Sequence, residues 1–401
     1  MKNIVLVGLK YDNNLGDRVI NDVSSVLLKD AWTETHHSGI EIREVDMTGR
    51  EGMETNPTKA RIIRSLAFRV FRRLHSESKE KIGEYIDRHT IRAYFPGVID
   101  HETIGIIFAG GGIIKYKVQN LPFYVDEITR IAEKRHIPVM FSAVGVEGYD
   151  EKDRRCLLLK KAINRKAVKI ISTRDDDMTL KEKYCTNGQL ILRVADPACS
   201  VSRFVPQKKY SSSNKTIGLG MVRKDLFTDY GIEVSEEKLL QLWAEIYRKL
   251  TDKGYQCKAF CNGAKSDGAF LGKWAEYMGF SAEQQAQVLI ERPESAEELI
   301  QIIQSFDGIV AVRLHAGIIA YSYGIPFAAL VWNQKQRFFG EQIGLPERFL
   351  ESKDFTGDRI VDCLIQALDK GYQRIDKEPF CRTTEDAMKV FIEKFVPDKN
   401  T

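Results

Sequence analysis

Arg313 and His315 are separated by one leucine and stand where an apolar run gives way to a helical pattern. An arginine fork in such a place suits a phosphate or a carboxylate, and a histidine suits proton delivery and removal. Two readings of the pair are open. In one, Arg313 grips a ligand anion and His315 moves a proton. In the other, Arg313 pairs with a nearby carboxylate and His315 caps or packs.

The flanking residues predict what positions the pair. Ile309, Val310, Ala311 and Val312 form a run too short for a helix and read as a strand, whereas Ala316, Ile319, Ala320 and Tyr323 recur with helical spacing. Gly324 and Pro326 then stop the helix. Strand ends of this kind are where α/β proteins bind ligands, and the free N–H groups of a helix N-terminus favour an anion.

The chain has 401 residues, 43% of them hydrophobic, which predicts two domains and enough apolar material for two cores. Sixty Lys plus Arg against fifty-six Asp plus Glu leave a formal charge of +4. That balance argues against nucleic acid as a partner, so anion recognition has to be local. Seven dispersed cysteines and an N-terminus that opens directly on a strand point to a reducing cytoplasm. No apolar run approaches the roughly 20 residues that span a bilayer. Cys257 and Cys261 are four apart, but strand-like residues lie between them and no second Cys/His pair completes a tetrahedral set, so no metal is expected.

Along the first half, apolar strands alternate with helical stretches, and each strand ends in polar or glycine-rich residues. Residues 4–7 lead into a turn with Asn14, Gly16 and Asp17, where Asp17 is placed to cap the following helix. The turn lacks G-x-G-x-x-G spacing, which argues against a nicotinamide or flavin cofactor. A second strand ends at Gly110, Gly111 and Gly112, a third near Gly145 and Glu147, and a fourth at Ser172, Arg174 and Asp175. This alternation predicts a doubly wound, mostly parallel sheet with its carboxyl-end loops on one edge. Residues 55–95 are a basic helical insertion; its amphipathic core near 59–74 either lies on an anionic membrane or packs on its own protein.

Residues 1–206 form the predicted first domain, and the polar tract 207–215 is the most linker-like segment. A second Rossmann-like domain is expected over 216–370, with strands at 216–223, 256–261, 287–290, 307–312 and 327–331. Ser295 and Glu298 have the spacing of a capping box. Residues 371–401 read as terminal helices that cross back to the first domain.

With both halves in place, the chain resembles the polysaccharide pyruvyl transferase family, which is built like two-domain glycosyltransferases of the B type. The resemblance rests on Asn14-x-Gly16-Asp17, Gly110 to Gly112, Ser172-x-Arg174-Asp175, Asp196-Pro197 and Arg313-Leu314-His315. It implies two Rossmann-like doubly wound domains facing across a cleft, with transfer of pyruvate from phosphoenolpyruvate to two sugar hydroxyls as a ketal. It further implies that Arg313, Leu314 and His315 hold the donor, Arg313 on its phosphate or carboxylate and His315 as acid/base. Arg223, at the end of the second domain's first strand, is the candidate for the other anionic group, and Lys335 is a further one. On the acceptor side stand Asn14, Asp17, Gly111, Gly112, Glu147 and Arg174, set against a carrier-linked or polymeric sugar of the cell surface, capsule or exopolysaccharide. No metal or organic cofactor is required. Two rival functions share the residues: a glycosyltransferase using a sugar nucleotide, and a non-catalytic glycan or anion binder.

Overall fold

The computed structural model describes residues 1–11, 14–36, 39–49, 76–117, 120–207, 215–371 and 377–396. The basic segment 59–74 and most of the tract 207–215 lie outside the described residues. The chain divides into two compact units, one comprising Met1–Tyr11, Ser24–Val194 and Thr383–Thr401, the other Asp12–Val23 and Ala195–Arg382.

Unit 1 is a six-stranded parallel sheet. Its strands are β1 (Asn3–Gly8), β2 (Glu41–Asp46), β3 (Thr103–Lys115), β4 (Val139–Glu147), β5 (Val168–Thr173) and β6 (Leu190–Arg193), in the order β2-β1-β3-β4-β5-β6. Helices α1 (Leu15–Thr35), α2 (Ser76–Val98), α3 (Leu121–Lys134) and α4 (Arg154–Ile163) connect successive strands. Strands covered on both faces must be apolar throughout, and all six residues of β1 are buried. Phe108 and Phe141, opposite one another on β3 and β4, stack with ring centroids 4.4 Å apart.

Unit 2 is a five-stranded parallel sheet of β7 (Thr216–Gly220), β8 (Gln256–Phe260), β9 (Gly308–Ala311), β10 (Phe327–Leu330) and β11 (Phe349–Leu350), ordered β11-β10-β9-β7-β8. Its longer helices are α5 (Glu236–Asp252), α6 (Lys265–Tyr277), α7 (Ala296–Gln304), α8 (Leu314–Tyr323), α9 (Gln334–Gln342) and α10 (Gly357–Lys370); α11 (Lys377–Phe395) follows. In each sheet the strand order reverses beside the first strand, between β1 and β3 in unit 1 and between β7 and β9 in unit 2. Such reversal points open a crevice at the carboxyl ends of the strands.

Two local expectations are corrected. The apolar residues 287–290 do not form a strand: Ala282–Val288 is a short helix, and only Leu289 bridges to Ala259. The reason is a reciprocal capping box in which Ser281 takes the Gln284 N–H and the Gln284 side chain takes the Ser281 N–H, committing the following residues to a helix. At Ser295 the box is only half made. Its hydroxyl accepts from the Glu298 N–H, but the Glu298 carboxylate accepts from Glu294 instead.

Carboxylates of α3 tie it to α2, with Asp126 3.5 Å from Arg88 and Glu127 at the centre. Glu127, 1% exposed, accepts from Arg88 and Arg92 of α2 and from Arg130 of its own helix, at distances from 2.6 to 3.2 Å. Burial raises its carboxyl pKa, but the Arg92 and Arg130 bonds outweigh it and hold the group below the ordinary glutamate value. A depressed pKa gives stability that is present above the unfolded value, near 4.3, and lost as pH falls through the folded one. Glu127→Gln should therefore cost about 1–3 kcal/mol at pH 7 in urea unfolding. It should also flatten the loss of stability between pH 5 and 3; a variant with the wild-type acid profile would exclude this role.

Candidate active site

In unit 2 the polar ends of the parallel strands gather around one buried acid. Asp267, on the first turn of α6, has no exposed surface. Its Oδ2 accepts from Arg313 Nε at 3.0 Å and Nη2 at 2.6 Å. Its Oδ1 accepts from the Arg223 backbone N–H at 3.3 Å and lies 3.5 Å from Arg223 Nη1, which also donates to Ser266 Oγ at 2.8 Å. Arg223 follows β7 and Arg313 follows β9, so the two arginines flank the strand reversal of this sheet. The ion-pair alternative for Arg313 is thus realised, with a partner the sequence reading did not single out. Asp267 belongs to the polar stretch Asn262, Gly263, Lys265 and Ser266 that ends β8 and opens α6, the same strand-to-helix signature read elsewhere in the chain.

The local fold supports these placements. Arg313 is extended, with φ −69° and ψ 127°, and stands at the cap position of α8 without a side-chain cap bond. Gln336 Nε2 donates to the carbonyls of Val312 and Leu330 at 2.9 and 3.1 Å, and Trp332 Nε1 donates to Val312 O at 3.0 Å. These bonds tie the ends of β9 and β10 together. Lys335 is half-buried on the first turn of α9, after β10, and Leu314 is buried at the start of α8. Burial raises the thiol pKa of Cys261, at the end of β8; the charge of Asp267 adds to the rise, and Arg292 and Arg313 oppose it.

His315 is buried in the same unit. Its Nε2 lies 3.9 Å from Oδ2 of Asp196, longer than a hydrogen bond. The other Asp196 oxygen accepts the Ala198 N–H at 2.8 Å. Against the imidazole lies the backbone of Gly16, where a built Cβ would overlap Nδ1, Cγ and Cβ of His315. The first turn of α1 is held there by Leu15 N–H to Asn262 O at 3.2 Å and Arg18 Nη1 to Glu294 O at 3.2 Å. Asn14 and Asp17, assigned with the acceptor loops from sequence, therefore cluster with His315 in unit 2, and Asn14 Nδ2 donates to Asp17 Oδ2 at 2.9 Å. Asp17 stands inside the first turn of α1 rather than capping it.

The other acceptor candidates lie on the carboxyl edge of unit 1. Gly111 has φ +76° at a register shift in β3, a conformation that favours glycine, and Gly112 follows it. The neighbouring strand carries a matching irregularity at Ala143, whose φ of +51° is uncommon for a residue with a side chain. Ser172 holds that bend, accepting from Ala143 N–H at 2.9 Å and donating to Phe141 O at 3.3 Å. Glu147 ends β4 and pairs with Lys115 of β3 at 3.3 Å. Arg174 is buried after β5. Among the described residues no group of His, Cys, Asp and Glu could hold a metal ion.

The contact at Gly16 is directly testable by comparison with Gly272, in α6, whose built Cβ meets nothing within 4 Å. Gly272→Ala should stabilise the protein by about 0.5–1 kcal/mol through helix propensity. Gly16→Ala should instead destabilise it by about 1–3 kcal/mol through overlap with His315. Equal gains at both positions in thermal unfolding would contradict the packing of α1 on the histidine.

Comparison with known proteins agrees with this architecture. No curated protein matches the chain significantly. Among solved structures, UDP-GlcNAc 2-epimerase from Methanocaldococcus jannaschii is similar with a TM-score of 0.59 and 10% identity, covering 98% of this chain and 100% of that one. The α,α-trehalose 6-phosphate synthase of Burkholderia multivorans is similar with a TM-score of 0.54 and 9% identity, covering 98% and 96%. At such identities the likeness speaks for the fold alone, two parallel α/β sheets of the B-type glycosyltransferase kind. A family model described as polysaccharide pyruvyl transferase matches residues 59–334, a span that takes in Gly111, Arg174, Asp196, Arg223, Asp267, Arg313 and His315. The chain belongs to the polysaccharide pyruvyl transferase family.

Proposed function

We propose that the protein transfers pyruvate from phosphoenolpyruvate to two hydroxyls of a sugar, forming a cyclic ketal and releasing phosphate in the biosynthesis of a surface polysaccharide. Membership of a transferase family supports the reaction class. The observation that carries the donor assignment is the pair of guanidinium groups at the ends of β7 and β9, in the same unit as a buried histidine. Two guanidinium groups side by side at a strand reversal suit a ligand bearing both a carboxylate and a phosphate.

The chemistry assigns work to each group. A proton passes from His315 to carbon 3 of the enolpyruvyl group, and carbon 2 becomes oxocarbenium-like. One sugar hydroxyl adds to carbon 2 and its proton returns to the histidine. The carbon 2–oxygen bond to phosphate then breaks, the second hydroxyl adds, and its proton leaves with the phosphate. Arg223 and Arg313 stabilise the anionic groups throughout, and the phosphate most as it departs. Lys335 adds positive charge from the end of the neighbouring strand. For the carrier-linked or polymeric sugar, the candidates are Gly111, Gly112, Glu147 and Arg174 on the glycine edge of unit 1 and Asn14 and Asp17 at the start of α1. The scheme uses no metal or organic cofactor. Among the described residues no helix is long and apolar enough to cross a membrane.

Phosphate release from phosphoenolpyruvate, followed with a panel of carrier-linked sugars and polysaccharides, tests the reading. Release should require an acceptor, and His315→Gln should lower it by about a hundredfold or more with folding intact. Hydrolysis of a sugar nucleotide with no release from phosphoenolpyruvate would point to a glycosyltransferase instead, and full activity of His315→Gln would remove the histidine from the mechanism.

A further inference from the structure

The geometry points to Asp267 as a positioning and selectivity residue: it aims two arginines so that their outer nitrogens match a ligand with two anionic groups on neighbouring atoms. The inference rests on the donor reading above and adds the residue that makes the arginines a unit.

Three observations carry it. Asp267 has no exposed surface, so its charge is compensated within the protein, by Arg313 on one oxygen and Arg223 on the other. Each guanidinium keeps one terminal nitrogen outside its contacts with the carboxylates. Arg313 spends Nε and Nη2 on Asp267, and Arg223 spends Nη1 on Asp267 and Ser266 while Nε lies 3.5 Å from the exposed Asp225. Nη1 of Arg313 and Nη2 of Arg223 make no hydrogen bond among the described residues. The two side chains are 13% and 32% exposed. Finally, the backbones that carry them are adjacent: Gly220 pairs with Ala311, and Val312 N–H donates to Gly220 O at 3.2 Å. Two donors on neighbouring strands, held by one carboxylate, set a short fixed spacing. Phosphoenolpyruvate offers two anions at short spacing because its carboxylate and its phosphate oxygen share carbon 2.

Two roles for Asp267 make opposite predictions. Were it only a counter-charge, its removal would leave Arg313 without its carboxylate and Arg223 with only the exposed Asp225, and would tighten binding of every anion. As a positioning residue, its removal frees the arginine rotamers and weakens the ligand that needs both at once. Affinities of the full chain for phosphoenolpyruvate and for inorganic phosphate, measured by calorimetry without acceptor, separate these roles. Asp267→Asn should weaken phosphoenolpyruvate by about tenfold or more and phosphate by no more than about threefold, lowering the preference between them. Ser266→Ala, which keeps the carboxylate and removes one bond to Arg223, should weaken phosphoenolpyruvate by a smaller factor; it decides the matter if Asp267→Asn does not fold. Wild-type protein that does not bind phosphoenolpyruvate would overturn the donor reading and this inference with it. Wild-type binding that Asp267→Asn leaves unchanged or tightens, or a uniform loss for both anions, would overturn the role of Asp267 alone.

Discussion

A carboxylate stripped of water must have its charge answered where it lies, and in unit 2 that requirement organises the edge of the sheet. Asp267 draws Arg313 from the end of β9 and Arg223 from the end of β7. Neither arginine is then free to wander over the long rotamer space of an exposed guanidinium, and the cost of holding a ligand falls accordingly. Breaking one partner of such a buried group is expensive, which makes the arrangement stiff as well as charged. The bonds of Gln336 and Trp332 to Val312 O extend the stiffness to the next strand. The paired arginines, the placement of the first turn of α1 and the packing of His315 all belong to this unit.

Unit 1 uses the same device for a different end. Glu127 gathers three arginines, but they belong to α2 and α3, away from the strand ends, and the result is helix docking. What the carboxyl edge of unit 1 offers is backbone shape. The left-handed Gly111 and the bend at Ala143 fall on adjacent strands, and the hydroxyls of Ser172 and Thr173 hold the bend from the third. Strain of this sort persists only where the surroundings over-determine it, and here they do so at a sheet edge. In unit 2 a buried carboxylate organises the edge, whereas in unit 1 strained backbone stands beside the Lys115–Glu147 pair and the buried Arg174.

The alternation of strands and helices was legible because parallel strands buried on both faces carry continuous apolar runs, as β1, β3 and β9 do. Arg313 and His315 were legible because they interrupt such a run at its end. Asp267 was not. It is one acid in an ordinary polar turn, and its significance comes from two arginines that lie 44 and 46 positions away in sequence. The place of Asn14 and Asp17 escaped for a related reason: they follow β1 of unit 1, yet the contact of Gly16 with His315 groups them with unit 2, which no local pattern encodes. The misread strand at 287–290 shows the opposite case, in which the capping box of Ser281 and Gln284 outranked a short apolar run.

The most direct test of the account is a structure determined with phosphoenolpyruvate bound. The ligand should lie at the strand reversal between β7 and β9, with Arg223 and Arg313 each donating to a different anionic group and both still held by Asp267. Carbon 3 should lie on the side of His315. Phosphoenolpyruvate found on the glycine edge of unit 1, or in unit 2 with the two arginines still turned away from it, would contradict the account.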